Sequence, residues 1–197
     1  MLVLTPGSTT DPTAALARGL ALFPIPAGRK VPAERAWHER CTADPAVFKA
    51  AWEPGENFGV GCRASNLFVI DLDGRVGIDA FAAVCERAGR PQPSTFTVVT
   101  PHAGRHLYFR PPPGMVLFST SGGVSGLGPK IDTRGPGERL GGYVVGPGSV
   151  VDGLRYSILD VTAPIATLPD WLAAIVDAAA QALRRRAAAR PGRGPNA

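Results

Sequence analysis

The chain has 197 residues, of which 45% are hydrophobic and 19% charged, and its formal net charge is +5. Its length suffices for one sizeable domain with its own core, and its composition is ordinary for a soluble globular protein. No apolar run approaches the ~20 residues of a membrane span, and no signal peptide is evident, so we expect a cytoplasmic protein without membrane contact. Three widely spaced cysteines, Cys41, Cys62 and Cys85, favour reduced thiols over disulfides.

The first half of the chain contains two predicted helix starts and three predicted strands. Asp11-Pro12 and Asp44-Pro45 each place a capping carboxylate before a proline suited to the first helical turn. We expect short helices after both, the first ending near Gly19. The apolar runs ALFPIP, FGVGC and NLFVI are typical of strands, and the prolines of the first indicate an edge or a strand end.

The second half predicts a helix, a hairpin, several short strands and a final helix. Ile78, Phe81, Ala82 and Cys85 recur at helical spacing before Gly89. STFTVVT and RHLYFR flank a PHAG turn and predict a hairpin, and VLFST, KIDT, YVVG and LRYSI predict further strands. Pro169-Asp170 opens the last helix. This order predicts an α+β fold with a mainly antiparallel or mixed central sheet and flanking helices.

The positive charge is concentrated at the C-terminus. Residues 184–197 carry five arginines and no acidic residue, and the remaining 1–183 hold 16 basic and 16 acidic residues. We therefore expect one domain over 1–183 and a basic, disordered tail over 184–197. Because the body is neutral overall, net charge by itself says little about nucleic-acid binding, and any basic groove must be local.

The stretch LFVIDLDGRVG places Asp71 and Asp73 at the end of a predicted buried strand. Alternate strand residues share a face, so the two carboxylates should point the same way, where a divalent cation would relieve their repulsion. A DxD pattern beside glycine is equally common in ordinary turns. The motif alone leaves a metal-binding pair, a phosphoryl-accepting aspartate and a structural turn open.

Two further stretches carry candidate residues. In TPHAGRHLYFR, His106 begins a predicted strand beside Arg105, a pairing suited to a phosphate contact, although a lone histidine is more often structural. In GPKIDTRG, Asp132 and Arg134 share a strand face, so the aspartate could complete a metal site and the arginine could offset triphosphate charge. A surface turn with an Asp–Arg pair would look the same.

The order of these stretches is more specific than any one of them. FPIPAGRKVPAERAW, NFGVG, VIDLDG, TPHAGRHLYF, IDTRG and GGYVVGPGS together resemble the bifunctional primase–polymerase N-terminal domain of the archaeo-eukaryotic primase superfamily, over about residues 14–160. The resemblance implies Asp71, Asp73 and Asp132 as metal ligands and His106 as the contact to the incoming triphosphate. It further implies phosphate contacts near Lys30, at Arg134 and at Ser149.

The sequence departs from the family pattern at two places. GPGERL is inserted after Arg134, which could alter substrate access, and Gly104 stands where the wider superfamily often has serine. Family members often continue into a helical accessory domain and a helicase, so we expect a separately encoded replicative helicase as a partner.

The resemblance implies a template-dependent DNA primase or polymerase with two Mg²⁺ or Mn²⁺ ions, NTP or dNTP substrates and a single-stranded DNA template. One alternative is a non-catalytic single-stranded nucleic-acid-binding module of the same fold. Another is a haloacid-dehalogenase-type phosphatase, in which VIDLDG would supply the nucleophile. That family needs a downstream lysine and a late acidic motif, whereas here Lys130 is the only downstream lysine and no such motif follows.

Overall fold

The computed structural model describes residues 10–188, which form four α-helices, one 3₁₀ turn and eleven short β-strands. The helices are α1 (Thr13–Leu16), α2 (Pro45–Ala51), α3 (Gly74–Arg87) and α4 (Asp170–Ala188), and the 3₁₀ turn is Trp37–Arg40. The strands are β1 (Leu22–Ile25), β2 (Asn57–Gly61), β3 (Phe68–Leu72), β4 (Thr97–Val99), β5 (Arg105–Arg110), β6 (Ile131–Arg134), β7 (Tyr143–Val145), β8 (Val150–Val151), β9 (Leu154–Arg155), β10 (Ser157–Ile158) and β11 (Ala166–Thr167).

The strands form one large sheet, one small sheet and a hairpin. The large sheet has the order β10-β4-β5-β3-β6, all antiparallel, and β11 adds to it by pairing in parallel with the end of β5. The small antiparallel sheet has the order β1-β2-β7, and β8 pairs with β9. The α+β class and the mixed, mainly antiparallel sheet predicted from the sequence are confirmed.

The large sheet is buried on both faces because its strands alternate apolar side chains between two hydrophobic clusters. Val69 and Tyr108 point toward the small sheet and pack in one cluster with Phe58 and Val60. Ile70 and its neighbours on the opposite face pack in the other cluster against α3 and α4. The molecule is thus layered as small sheet, large sheet and helices, and residues 71 and 106 continue the face that looks toward the small sheet.

Most of the predicted elements form where the sequence places them, and two differ. VLFST makes only a single bridge between Thr120 and Thr133, because three prolines precede it and glycines follow it. LRYSI divides at Tyr156 into β9, which pairs with β8, and β10, which pairs with β4.

The C-terminal helix extends beyond the predicted domain boundary at residue 183. Residues 184–188 belong to α4 rather than to a disordered tail, since the alanine- and arginine-rich sequence favours helix. Residues 189–197 of the predicted tail lie outside the described residues. None of the helices within residues 10–188 is both long and apolar enough to cross a membrane, and none of the three cysteines forms a disulfide.

Candidate active site

Asp71 lies at the centre of a row of three polar residues across the large sheet. Strand β3 pairs with β5 on one side and β6 on the other, and the register puts Asp71 directly opposite both His106 and Asp132. Directly opposed residues of antiparallel strands have Cα atoms about 4.5–5.5 Å apart and share a face. The sheet therefore brings together three candidate residues that are far apart in the sequence.

The Asp71 carboxylate is largely withdrawn from solvent, its side chain being 16% exposed. Its pKa is raised to about 6, mainly by burial; the Arg134 charge acts in the opposite direction, and the nearby Asp132 charge acts in the same direction as burial. An ionised carboxylate here is therefore unfavourable unless a cation is close to it. A site of this kind has a physical reason to take up positive charge.

Asp73 lies just beyond the end of β3, at the N-cap position of α3, and faces the same cleft as Asp71. Its side chain makes no capping hydrogen bond, although its backbone N–H donates to the Lys130 carbonyl at 2.8 Å. The carboxylate is thus left available to the cleft. Burial raises the pKa of Asp73, and the charges of Asp71 and Asp132 raise it further.

His106 lies in the cleft floor and is almost fully buried, with its Nε2 3.5 Å from an Asp71 carboxylate oxygen. Burial lowers the pKa of His106 to about 4, and the Arg134 charge acts in the same direction. The imidazole is therefore neutral at physiological pH in the metal-free protein. Its Nδ1 has no hydrogen-bond partner among the described residues, which leaves one polar atom of the ring unsatisfied.

Arg134 lies between the two sheet carboxylates. Its Nη2 is 3.8 Å from Asp71 Oδ2 and 3.5 Å from Asp132 Oδ2. The second Asp132 oxygen accepts a hydrogen bond of 2.9 Å from the Gly123 backbone N–H. Both oxygens of Asp132 are thus engaged by the protein, and Asp132 does not reach the cleft surface as Asp71 and Asp73 do.

An open cleft of about 570 Å³ lies over this row. Its floor comes from the large sheet and its opposite wall from the small sheet and the segment after β1. Its lining includes Lys30, Trp37, Asp71, Asp73, His106, Ser119, Thr120, Ser121, Arg134, Tyr143 and Tyr156. Carboxylates, a histidine, hydroxyls and two cations within one cleft can bind a ligand that carries both metal ions and phosphates.

No three His, Cys, Asp or Glu side chains within residues 10–188 are arranged to hold one metal ion as they stand. The oxygen donors suit Mg²⁺ or Mn²⁺, and the Arg134 guanidinium already places a cation between two of them. The donor chemistry therefore fits a divalent ion, and Arg134 would have to move for Asp71 and Asp132 to share one.

Comparison with protein families matches residues 12–171 to Prim-Pol, described as bifunctional DNA primase/polymerase, N-terminal. The chain belongs to the Prim-Pol family. The resemblance inferred from the order of motifs is thereby confirmed, and Prim-Pol membership points to a primase/polymerase-type nucleotidyltransferase with nucleotide and nucleic-acid substrates. No curated protein gives a significant match to the chain.

Two predicted phosphate contacts of this Prim-Pol domain lie away from the cleft. Arg105 is adjacent to His106 in β5, so its side chain emerges on the other face of the sheet, near Leu107 and Asp160. Ser149 is fully buried, and its hydroxyl accepts a hydrogen bond from the Phe58 backbone N–H at 3.2 Å. The structure thus gives Ser149 a role in packing loop 146–149 against β2. Lys30 and Arg134, by contrast, do line the cleft.

The sequence did not single out several residues that line the Prim-Pol cleft. Trp37 packs against Phe23 and Tyr143, with ring centroids 4.6 Å and 4.9 Å away. Tyr143 comes from the small sheet and Tyr156 from the segment between β9 and β10. Ser119–Ser121 form a run of hydroxyls before two glycines, a composition typical of loops that approach ligands. The aromatic residues gave no comparable signal, because only the packing of the two sheets brings them to the cleft.

The glycine at position 104 has a steric reason in this Prim-Pol domain. A Cβ atom there would lie 2.4 Å from the Leu72 carbonyl oxygen and 2.9 Å from the Gly74 backbone nitrogen. The turn before β5 can therefore approach the end of β3 closely only because residue 104 lacks a side chain. This contact places His106 against Asp71.

The inserted segment after Arg134 lies at the rim of the cleft. Its backbone is held by Arg63, whose Nη1 donates to the Gly137 carbonyl at 3.0 Å. On the helical side, Arg184 Nη2 lies 3.4 Å from a Glu138 carboxylate oxygen and the Arg184 guanidinium stacks over Phe118. Gly141 and Gly142, which directly follow the insertion, line the cleft. The insertion is thus held from two sides at its middle, at Gly137 and Glu138, close to the cleft.

Proposed function

We propose that this chain is a template-dependent nucleotidyltransferase that synthesises or extends primers with the help of two Mg²⁺ or Mn²⁺ ions. The observation that carries the proposal is the row of His106, Asp71 and Asp132 across three adjacent strands at the floor of a polar cleft. Membership of the Prim-Pol family supplies the reaction class. The proposal includes the prediction from the sequence that the domain has the fold of the archaeo-eukaryotic primase superfamily.

Asp71, Asp73 and Asp132 would hold the metal ions. When bound, the ions would lower the pKa of the attacking 3′-hydroxyl and stabilise the pyrophosphate leaving group. The burial of Asp71 and the closeness of three acidic groups favour the uptake of cations. Arg134 already lies between Asp71 and Asp132, so a divalent ion shared by these two carboxylates would take the place of its guanidinium.

His106 and Lys30 would orient the incoming triphosphate from two walls of the cleft. His106 lies in the floor beside Asp71, and Lys30 comes from the segment after β1 on the opposite side. In phosphoryl transfers most of the rate enhancement comes from positioning and charge stabilisation, and groups on opposite sides of the triphosphate serve both. NTP and dNTP are both compatible with these contacts.

A second groove, of about 330 Å³, offers a path for a single-stranded DNA template. Trp37 lines both this groove and the cleft, so the two meet at that side chain. Arg63, Arg139 and Leu140 also line the groove, and one acidic residue, Glu39, leaves its lining with a net positive charge. A cationic groove with an aromatic side chain at its end is a common way to track a single strand, since arginines contact phosphates and aromatic rings stack on bases. A separately encoded helicase partner and a cytoplasmic location stay predictions.

Primer extension tests this function directly. A primed single-stranded template with labelled dNTPs or NTPs, with Mg²⁺ or Mn²⁺, should yield extended products, and an unprimed template should show whether synthesis starts de novo. Asp71→Asn is the matched inactive control. Binding of single-stranded DNA without any incorporation under either metal would favour the non-catalytic binding module instead. A covalent phosphoryl adduct on Asp71 would favour the phosphatase.

A further inference from the structure

Arg134 makes more contacts within the protein than an arginine that serves only to bind a phosphate requires. One amino group, Nη2, approaches Asp71 and Asp132, at 3.8 Å and 3.5 Å. The other, Nη1, donates hydrogen bonds to the backbone carbonyls of Thr120 at 2.8 Å and Thr133 at 3.1 Å. The side chain is 27% exposed. These contacts therefore fix the guanidinium at the cleft floor, and only part of its surface faces the cleft.

The position of the guanidinium follows from the charges around it. Asp71 and Asp132 are directly opposite on neighbouring strands and only 16% and 14% exposed, so their mutual repulsion is weakly screened. A cation between them relieves that repulsion. It also covers Asp132, whose other oxygen accepts from Gly123. A divalent ion that uses both carboxylates would therefore need the space that the guanidinium holds.

We propose that Arg134 is the resident counter-ion of the Asp71–Asp132 pair and competes with a divalent ion for it. The inference rests on the proposed function, since it takes these carboxylates as metal ligands. Binding of the first ion displaces Nη2 from the pair, and the freed guanidinium stays at the cleft, where it already lies. The metal-free protein thus keeps its carboxylates together, and its metal affinity is lower than the carboxylates alone would give.

Metal binding in the absence of nucleotide and DNA tests the competition without any measurement of activity. Free Mn²⁺ would be counted by electron paramagnetic resonance during titration of the wild type, Arg134→Gln, Arg134→Lys and Asp71→Asn, each with its folding checked by circular dichroism. Arg134→Gln should bind Mn²⁺ more tightly by about 5- to 150-fold, the usual range for coupling between sites. Arg134→Lys keeps the charge and should bind close to the wild type.

The outcomes separate this inference from the proposed function. Equal or weaker Mn²⁺ binding by folded Arg134→Gln would overturn the competition and make Arg134 a residue that positions the carboxylates. Wild-type binding by Asp71→Asn would instead overturn the metal site itself. If Arg134→Gln fails to fold, nuclear magnetic resonance of the unaltered protein provides the test. The ¹⁵N resonance of the Arg134 side chain should shift on addition of Mg²⁺. An unchanged resonance at saturating Mg²⁺ would contradict displacement of the guanidinium.

Discussion

Asp71 and His106 face each other directly across β3 and β5, with 3.5 Å between the carboxylate oxygen and Nε2. At a well-solvated site, the two groups of such a pair would each favour the charged form of the other. Here burial has opposite effects on the two pKa values, raising that of Asp71 to about 6 and lowering that of His106 to about 4. Without a metal ion, the pair is therefore held in an environment that disfavours both charges.

Asp71→Asn should abolish nucleotide incorporation and yet stabilise the metal-free protein. The folded-state pKa of Asp71 is about 6 against an ordinary value of 3.8, so the ionised form is disfavoured by at most about 3 kcal/mol at neutral pH. Because the pKa is raised, this penalty is complete above about pH 6 and disappears as the pH falls toward 3.8. Urea unfolding in EDTA at several pH values measures it.

The stability gain of Asp71→Asn should be largest at pH 7–8 and fall to roughly half by pH 5. Comparison of the two proteins at each pH cancels the contribution of His106 to a first approximation. A gain that is the same at all pH values would show that Asp71 is not ionised at a cost in the folded protein.

His106→Ala should mainly impair the use of the incoming nucleotide. Loss of a hydrogen bond to a charged phosphate costs about 1.5–3 kcal/mol, which is roughly a 10- to 150-fold loss of kcat/KM. Steady-state incorporation with varied nucleotide measures this loss, with Gln181→Ala as a control because Gln181, on the exposed side of α4, lines neither the cleft nor the second groove. The assignment fails if kcat/KM for nucleotide is unchanged in the folded variant.

The double variant Arg63→Ala/Arg139→Ala should weaken binding of single-stranded DNA. Because the variant removes at most two arginine–phosphate pairs, the slope of log K against log salt should decrease by at most about 1.4, since each pair contributes roughly 0.7. Arg87→Ala/Arg90→Ala is the matched control: it removes the same charge from the far end of α3, about 20 Å from the residue of that helix that lines the cleft. Identical slopes for both variants would exclude the groove as the template path.

Gly104→Ser, which introduces the residue common in the wider superfamily, should destabilise this protein. The added Cβ would lie 2.4 Å from the Leu72 carbonyl oxygen and 2.8 Å from Thr100 Oγ1, and overpacking of this kind costs about 1–3 kcal/mol. Thermal unfolding should show a lower Tm. Ala103→Ser, at the exposed neighbouring position, should leave the Tm unchanged, and equal effects of the two substitutions would argue against the steric explanation.

Arg184 should contribute to stability where its neighbour Arg185 does not. Arg184 contacts Glu138 of the insertion and lies 4.2 Å over the Phe118 ring, yet both charged side chains are more than half exposed. Such contacts contribute about 0.5–1 kcal/mol. Arg184→Ala should lower the Tm by about 1–4 °C and increase protease cleavage within 135–142, while Arg185→Ala should change neither. Equal Tm values and equal protease cleavage of the two variants would contradict a stabilising contact between α4 and the insertion.

Local patterns in the sequence were sufficient for most of the secondary-structure elements. A continuous apolar run predicted β3, two runs that flank a turn predicted the hairpin that contains β5, and the Asp44-Pro45 pair predicted α2, because these signals depend on neighbours within a few residues. The period-two alternation of strand side chains could have excluded Arg105 as a cleft residue, since it is adjacent to His106. The order of the motifs was enough to identify the family.

Tertiary structure decided which of these residues meet and what each one contacts. The register of β5, β3 and β6 places Asp71 between His106 and Asp132, and register depends on long-range pairing that no local pattern encodes. The packing of the small sheet over the large one brings Tyr143 to the cleft and buries Ser149. The proximity of two buried carboxylates then gives Arg134 its place between them, because charge interactions depend on distance in space and on burial rather than on separation along the chain.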